Sequence, residues 1–272
     1  MQSRPDFFPF HPLRSRAMVL LVTQFLLLPL SACSDDGPSM PPDPTTDRPD
    51  TTGQTDTSFR YFDPVLLCTL RDPRLTEISG IAPSRLRDGL YWLHNDSGGE
   101  ARLFAVDSTG HTRATVLLAG AANRDWEDIA SARLDGASWL YVGDIGDNGS
   151  RHAFVTVYRL REPAVAGEGN DTTLQLPAAA ARFRYPDGAR DCESLLVDPR
   201  DGAILLVEKS GTSAGVYRAA WPGDGGEAVL DRIASVRPPF DFSLLRMITA
   251  ADLHPEGTRL ALRTYGAVLE YR

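Results

Sequence analysis

The segments DWEDIA (125–130), WLYVGD (139–144) and TVYRL (156–160) follow one another closely in the chain and determine the fold that we expect. Each is a short run rich in aromatic and branched residues, and the gaps between them contain Gly, Asp and Asn, which favour turns. A helical period of apolar residues is not found between residues 59 and 272. The pattern therefore predicts antiparallel strands and an all-β fold.

The same three-part unit recurs three more times, with an acidic first segment, a hydrophobic second segment and an aromatic-bearing third segment. The other first segments are EISGIA (77–82), DCESLL (191–196) and ITAADL (248–253). Such repeats of successive strands are typical of propeller blades. We therefore expect a β-propeller of four-stranded blades, with outer strands from 172–185 and 228–236. Four blades are visible where about five to six are usual for such rings, so the pattern suggests a missing C-terminal blade.

The first 32 residues are predicted to be a lipoprotein signal peptide. Arg14 and Arg16 precede an apolar stretch, 17–30, that is too short to span a bilayer comfortably. The sequence LSAC at 30–33 is similar to the lipobox of bacterial lipoproteins, which implies cleavage before Cys33 and its acylation, with palmitate as one expected acyl chain. The alternative is a plain secretory peptide with a chance cysteine. Ser34 after the cysteine favours the outer over the inner membrane of the cell envelope.

Residues 33–58 are predicted to be the lipidated cysteine followed by a disordered tether. This stretch is rich in Asp, Pro, Thr and Gly and has almost no apolar residues, so it cannot repay the entropy of ordering. The propeller domain is then expected at 59–272. An oxidising compartment permits Cys68 and Cys192 to form a disulfide, but two separate buried thiols fit the sequence equally well.

The charge of the chain limits its partners. The formal net charge of −8 argues against nonspecific binding to nucleic acid, which needs a basic surface. We expect contact with the membrane only through the lipid anchor, and an envelope protein or a small anionic ligand as a further partner.

The order of several motifs resembles a known family. Together, ExSG at 77–80, Asn95-Asp96, DWEDIA with GDIGDN, and an ExLLVDP strand (193–199) followed by Glu208-Lys209 are similar to the SdiA-regulated, YjiK-like bacterial β-propellers. This resemblance covers residues 74–272 and implies an extracytoplasmic propeller, often with bound calcium and without an established activity. A more distant likeness runs to esterase-like phytase propellers and gluconolactonase-type propellers.

The acidic residues of the first segments are expected to meet at the central channel, because the first strand of each blade lines it. We expect Glu77, Glu127, Glu193 and Asp252 to be equivalent. Carboxylate and amide oxygens suit calcium, which is the expected cofactor. The predicted metal ligands are Glu77, Asp125, Glu127, Asp128, Asp144, Asp147 and Glu193. For 144–148 a plain turn is an equally good explanation.

Other residues are candidates for binding a ligand or for catalysis. Lys209 is the only lysine in a chain with 27 arginines, so it could neutralise the acidic ring or hold an anionic group. The predicted ligand-binding residues are Asn95, Asp96, Lys209 and Arg263. No nucleophile elbow is found, so the catalytic residues are unknown from the sequence. The candidates are Glu127, His94 and Lys209.

Three functions remain open from the sequence. The first is a noncatalytic, lipid-anchored, calcium-binding propeller that presents a binding face for a ligand or a protein. The second is a metal-dependent hydrolase of esters, lactones or phosphoesters, with the site at the central channel. The third is a purely structural propeller whose channel carboxylates are neutralised by salt bridges.

Overall fold

The computed structural model describes residues 65–166 and 171–271, and the signal peptide, Cys33 and the tether therefore lie outside it. Four sheets follow one another along the chain in a four-bladed β-propeller arrangement, and their strands are antiparallel except for two parallel edge pairs. This arrangement confirms the all-β propeller prediction. Among the residues that the structure describes, the single helix is α1 (Ser243–Arg246), which precedes the last sheet. In the described part of the chain, no helix has the length and apolar content that crossing a membrane requires.

The first two blades each have four antiparallel strands. In the first blade these are β1 (Ile78–Pro83), β2 (Leu90–Asn95), β3 (Arg102–Asp107) and β4 (Thr112–Ala119). In the second blade they are β5 (Trp126–Leu134), β6 (Ala137–Asp144), β7 (Val155–Arg161) and β9 (Ala179–Arg184). Strand β8 (Thr172–Pro177) lies between β7 and β9 in the chain but returns to the first blade, where it pairs in parallel with β4.

The third blade repeats the four-stranded pattern, whereas the fourth has three strands in the described part of the chain, one fewer than we expected from the sequence. The third contains β10 (Cys192–Val197), β11 (Ile204–Glu208), β12 (Ala214–Ala219) and β14 (Asp231–Val236). Strand β13 (Glu227–Val229) pairs in parallel with β9 of the second blade. The fourth blade contains β15 (Ile248–Leu253), β16 (Leu260–Thr264) and β17 (Val268–Tyr271). The stretches 172–185 and 228–236 thus supply outer strands, but β8 belongs to a different blade from β9.

The hydrophobic core lies between neighbouring blades. Trp92 of β2 and Trp126 of β5 are fully buried in a cluster that joins the first two blades. Tyr141 and Tyr217 belong to the cluster between the second and third blades, and Val216 and Leu262 to the cluster between the third and fourth. Burying such large side chains contributes about 1.5–3 kcal/mol each, so each blade is stabilised mainly by its neighbours.

A β-bulge occurs at the same place in each inner strand. The register shifts after Ile78 in β1, after Trp126 in β5, after Cys192 in β10 and after Ile248 in β15. The residues at the four bulges are Ser79, Glu127, Glu193 and Thr249. A bulge holds one extra residue and re-aims its side chain. These four residues therefore occupy equivalent positions at the beginning of the inner strands.

The bulges correct the equivalence that we expected from the sequence. Glu77 lies two residues before the bulge of β1, as Asp125 and Asp191 do in their own blades, and Asp252 lies three residues after the bulge of β15. Asp252 is therefore near the opposite end of its strand. The spacing of acidic residues along the sequence could not show this difference, because it does not indicate where a strand contains a bulge.

Candidate functional site

Carboxylates from two blades converge where the inner strands begin. One carboxylate oxygen from each of Asp96, Asp125 and Glu127 lies within 4.8 Å of the other two. Asp191 and Glu193 of the third blade lie near enough to raise the pKa of Glu127. We call the five residues Asp96, Asp125, Glu127, Asp191 and Glu193 the acidic mouth. The structure thus brings together Asp96, Asp125 and Glu127 from the predicted sets.

Asp96 is placed by hydrogen bonds from both blades. Its backbone N–H donates to the carbonyl of Glu77 at 2.7 Å, and its own carbonyl accepts the side-chain amide of Asn123 at 2.6 Å. The N–H of Ser97 donates to Asp96 Oδ1 at 2.6 Å. These contacts hold the loop after β2 against the loop before β5, so Asp96 reaches the carboxylates of the second blade.

Gly146 is the reason that Asp125 and Glu127 can approach each other. A Cβ atom at this position would lie 2.4 Å from both Asp125 Oδ2 and Glu127 Oε1. The Gly146 N–H donates to the Asp125 carbonyl at 3.2 Å, and the side chain of the preceding Ile145 is fully buried. The GDIGDN loop therefore passes directly against the two carboxylates, and only glycine leaves space for them there.

Glu127 is buried beside other acids. Burial, followed by the charges of Glu193, Asp96, Asp125 and Asp191, raises its pKa to about 9. Its backbone carbonyl accepts the Ser79 hydroxyl at 2.8 Å, and the same hydroxyl lies 3.4 Å from Glu127 Oε2. Burial likewise raises the pKa of Asp125, and Asp96 and Asp191 add to this effect. The site thus accumulates negative charge that a bound cation would relieve.

The third blade contributes one neutralised acid. The Lys209 ammonium donates to Glu193 Oε1, and both side chains are largely buried. Burial alone would favour the neutral amine, but the Glu193 carboxylate raises the pKa of Lys209, and the Tyr265 ring lies 5.8 Å from the Lys209 nitrogen. Lys209 therefore neutralises Glu193 at the acidic mouth, which is one of the two roles that the sequence suggested for it.

Asp128 has a different environment from Glu127. Its Oδ1 accepts the Ile129 N–H and its Oδ2 accepts the Leu195 N–H, both at 2.9 Å. The side chain is 5% exposed, and burial raises its pKa to about 8 despite these two bonds. Asp128 therefore joins the second and third blades and is not among the three converging carboxylates.

Asp144 and Asp147 support the loops around the mouth. Asp144 Oδ1 accepts the Asp125 N–H at 2.9 Å, although burial still raises the pKa of Asp144. Asp147 Oδ2 accepts the N–H groups of Arg151 and His152 at 2.7 Å each, and these bonds lower the pKa of Asp147 despite its burial. The Asp147 N–H donates to Asp191 Oδ1 at 3.0 Å. Asp144 and Asp147 therefore position Asp125 and Asp191 of the acidic mouth. Their role as metal ligands stays a prediction.

His94 is sealed inside the protein. Its Nδ1 donates to the Asn95 carbonyl at 2.9 Å, and its ring packs edge-on against Trp126 with 5.6 Å between centroids. Burial lowers its pKa to about 4. A side chain with no exposed surface cannot take a proton from a substrate at the mouth, so His94 has a packing role here.

The remaining predicted residues are dispersed around the channel. Asn95 donates its amide to the Arg74 carbonyl at 2.6 Å, which anchors the loop before β1. Arg263 of β16 donates from Nε to the Thr249 hydroxyl at 3.0 Å, beside the bulge of the fourth blade. Glu77 is exposed.

Cys68 and Cys192 are free thiols in this structure, and burial raises the pKa of Cys192 to about 12.

The sequence reasoning missed Ser79, Asp191, Gly146 and Asn123. A signal for Asp191 was present, because the pattern Asp-x-Glu at 125–127 repeats at 191–193. Ser79 belongs to the ExSG motif, but its contact with Glu127 depends on a bulge. No sequence signal marks Asn123, whose position depends on the approach of two loops.

Comparisons with known proteins identify no family for this chain. No protein-family model matches the chain, and no curated protein matches it. A solved Dos1 propeller has 10% sequence identity and a TM-score of 0.37, and the match covers 68% of this chain and 42% of that one.

Two further solved structures have similar values. The Cps50 (Swd1) β-propeller domain from Myceliophteria thermophila has 11% identity and a TM-score of 0.35, with 69% of this chain and 49% of that chain covered. Hydrazine synthase from Kuenenia stuttgartiensis has 15% identity and a TM-score of 0.37, with 75% and 45% covered. The matched region spans less than half of each of the three structures. The sheet order of the chain itself makes it an all-β propeller module.

Proposed function

We propose that this chain is a cation-binding β-propeller module whose site is the acidic mouth, and that calcium is its cation. The observation that carries the proposal is the convergence of Asp96, Asp125 and Glu127 within 4.8 Å. Calcium takes six to eight oxygen ligands at flexible geometry, and all three donors are carboxylates. The glycine at position 146 also supports the proposal, because any larger residue there would prevent Asp125 and Glu127 from approaching each other.

The cation would hold two blades together. Asp96 follows β2 of the first blade, whereas Asp125 and Glu127 lie at the beginning of β5 in the second. A ligand that binds only the folded state stabilises it in proportion to the logarithm of its concentration. Calcium should therefore raise the unfolding temperature by linking the first blade to the second.

The biological setting that we propose rests on the sequence. Cys33, the preceding signal peptide and the polar tether support a lipid-anchored protein of the bacterial cell envelope, with the outer membrane favoured by Ser34. The motif order supports a relationship to the SdiA-regulated, YjiK-like propellers. In this setting the module presents a binding face for an envelope protein or a small ligand.

Terbium luminescence tests the cation site directly. Tb³⁺ replaces calcium at oxygen sites and is excited by a nearby indole, and Trp126 stands between Asp125 and Glu127 in the chain. We expect sensitised emission that calcium displaces, that Glu127→Gln removes and that Asp231→Asn retains. Asp231 is an exposed acid on β14 and is the matched control. Equal emission from the two variants would refute the site.

A metal-dependent hydrolase is the second candidate function. It is favoured by the small number of converging protein ligands, because three carboxylates leave positions on calcium for water or a substrate oxygen. Glu127 is then the group within reach to hold a proton, since His94 is sealed from solvent. The test is turnover of ester, lactone and phosphoester substrates by the calcium-loaded chain. Absence of turnover by a chain that binds calcium would leave the noncatalytic module.

A further inference from the structure

A second opening lies at the other end of the inner strands. A cavity of about 340 Å³ is lined by residues from all four blades. Its wall includes the side chains of Arg85, Arg133 and His254, which we call the basic mouth, together with Asp88. This volume is within the range of small-molecule sites, which begins at about 300 Å³. The cavity is separate from the acidic mouth, which lies where the inner strands begin.

Arg85 is held in place before any ligand arrives. The buried Glu162 carboxylate accepts the Arg85 N–H at 3.0 Å and the Trp92 indole N–H at 2.9 Å, so the loop after β1 is fixed to the second blade. The Arg85 guanidinium donates to the Ser131 carbonyl from Nε at 3.2 Å and from Nη2 at 3.0 Å. Its remaining N–H groups are therefore available at a defined position.

Arg133 stands next to Arg85 and is exposed. Its guanidinium donates to the Arg85 carbonyl, which is a neutral acceptor. Neither arginine forms an ion pair with any carboxylate in residues 65–166 or 171–271. Two guanidinium groups thus sit at one cavity with their charge unmatched at short range, and guanidinium forks recognise carboxylate and phosphate groups well.

His254 adds a hydrogen-bond donor to the same wall. The Glu256 N–H donates to His254 Nδ1 at 3.2 Å, so the neutral ring carries its proton on Nε2. The opposing carboxylates are Asp88 in the wall and Asp252 of β15. Asp252 is exposed to solvent and lies beside the lining residues Leu253 and His254. The lining itself thus presents three side chains that can donate, from Arg85, Arg133 and His254, against the single carboxylate of Asp88, and this balance favours an oxyanion.

We propose that the basic mouth binds the anionic group, a carboxylate or a phosphate, of a small molecule. Arg133 and Arg85 bind the oxyanion, and His254 donates a further hydrogen bond. The site is independent of the cation site and of whether calcium binds. A propeller with an acidic mouth at one end and a basic mouth at the other would hold two different ligands on one axis.

Calorimetry with inorganic phosphate and, separately, with succinate tests the proposal on the whole chain. We expect at least one of the two anions to bind, and the stronger binder identifies the headgroup. The double variant Arg85→Gln, Arg133→Gln should weaken binding by about tenfold or more, since each charge-assisted bond is strong. Arg232→Gln removes an exposed arginine from β14 and should bind like the unaltered chain.

A second readout locates the anion without relying on the double variant. Phenylglyoxal modifies accessible arginines, and peptide mass spectrometry reports each site. The binding anion should protect Arg133 and leave Arg232 reactive. The single variant Arg133→Gln changes an exposed side chain, so it should fold and still bind more weakly. Failure of both anions to bind a folded chain, or equal binding by Arg133→Gln and Arg232→Gln, would overturn the proposal.

Discussion

The carboxylate of Asp128 in the second blade accepts the backbone N–H of Leu195 in the third blade at 2.9 Å. The bulge at Glu127 makes this possible, because the extra residue lets Glu127 face the acidic mouth while Asp128 faces the next blade. The corresponding residues after the other bulges are Gly80, Ser194 and Ala250. Glu127 therefore contributes to the acidic mouth, whereas the neighbouring Asp128 links the second blade to the third.

Replacing Asp128 should destabilise the propeller. Asp128→Ala leaves the N–H groups of Ile129 and Leu195 buried without an acceptor, and each such group costs about 1–3 kcal/mol. We expect a loss of about 2–4 kcal/mol in the free energy of unfolding, measured with urea. Asp128→Asn retains one acceptor oxygen and should lose less. Stability equal to that of the Asp231→Asn control would show that the bond between blades is unimportant.

Stability without calcium should fall as the pH rises from about 5 to about 9. The pKa of Glu127 is near 9 in the folded chain and near 4.5 in the unfolded chain, so the folded state holds an extra proton in this interval. Because the unfolded chain has already released this proton, each rise in pH within the interval favours the unfolded state and lowers the free energy of unfolding. Asp128, with a pKa of about 8, acts in the same direction.

The Glu127→Gln variant isolates this contribution. It cannot ionise, so its unfolding temperature should decline less between pH 5 and pH 9 than that of the unaltered chain. Calcium should restore stability at pH 9 only where Glu127 is present. Parallel pH profiles for the two proteins would mean that Glu127 ionises as it does in the unfolded chain.

Gly146→Ala should disrupt the acidic mouth. The new methyl group would meet Asp125 Oδ2 and Glu127 Oε1 at 2.4 Å, so at least one carboxylate must move. We expect calcium affinity to fall by about tenfold or more, as loss of one ligand would cause. Gly99→Ala is the control, because nothing lies within 4 Å of a Cβ atom there. Unchanged calcium affinity in Gly146→Ala would show that the cation site does not depend on Gly146.

Lys209→Met should leave Glu193 without its cation. Removing one partner of a largely buried ion pair costs about 3 kcal/mol, because the other charge stays desolvated. Burial already raises the pKa of Glu193, so the loss should be greater at pH 8 than at pH 5, where Glu193 can take a proton. Urea unfolding at both pH values measures it. Lys209→Arg keeps the charge and should retain most of the stability.

The repeated segments were sufficient to predict the blades. Alternating strand segments with turn residues between them identified the inner, middle and third strands, because each blade repeats the same local pattern. The pairing of β8 with β4 of the first blade and of β13 with β9 of the second was not predictable. Pairing between edge strands that are distant in the chain leaves no local pattern in the sequence.

The candidate site was predictable only in part. DWEDIA placed Asp125 and Glu127 together because they begin one inner strand, and Asp96 followed from the Asn-Asp pair. The separation of Glu127 from Asp128 depends on a bulge, and the contribution of Gly146 depends on a loop that folds back over the strand. Both are tertiary features that residue types alone do not reveal.

Calorimetric titration of the chelator-treated 272-residue chain with calcium measures the proposed cation site itself. We expect binding by the unaltered chain and by Asp231→Asn, and loss of binding in the double variant Asp125→Asn, Glu127→Gln. Binding should also weaken at lower pH, because protons compete for Glu127. A folded chain that takes up no calcium, or a double variant that binds as well as the unaltered chain, would contradict the cation site.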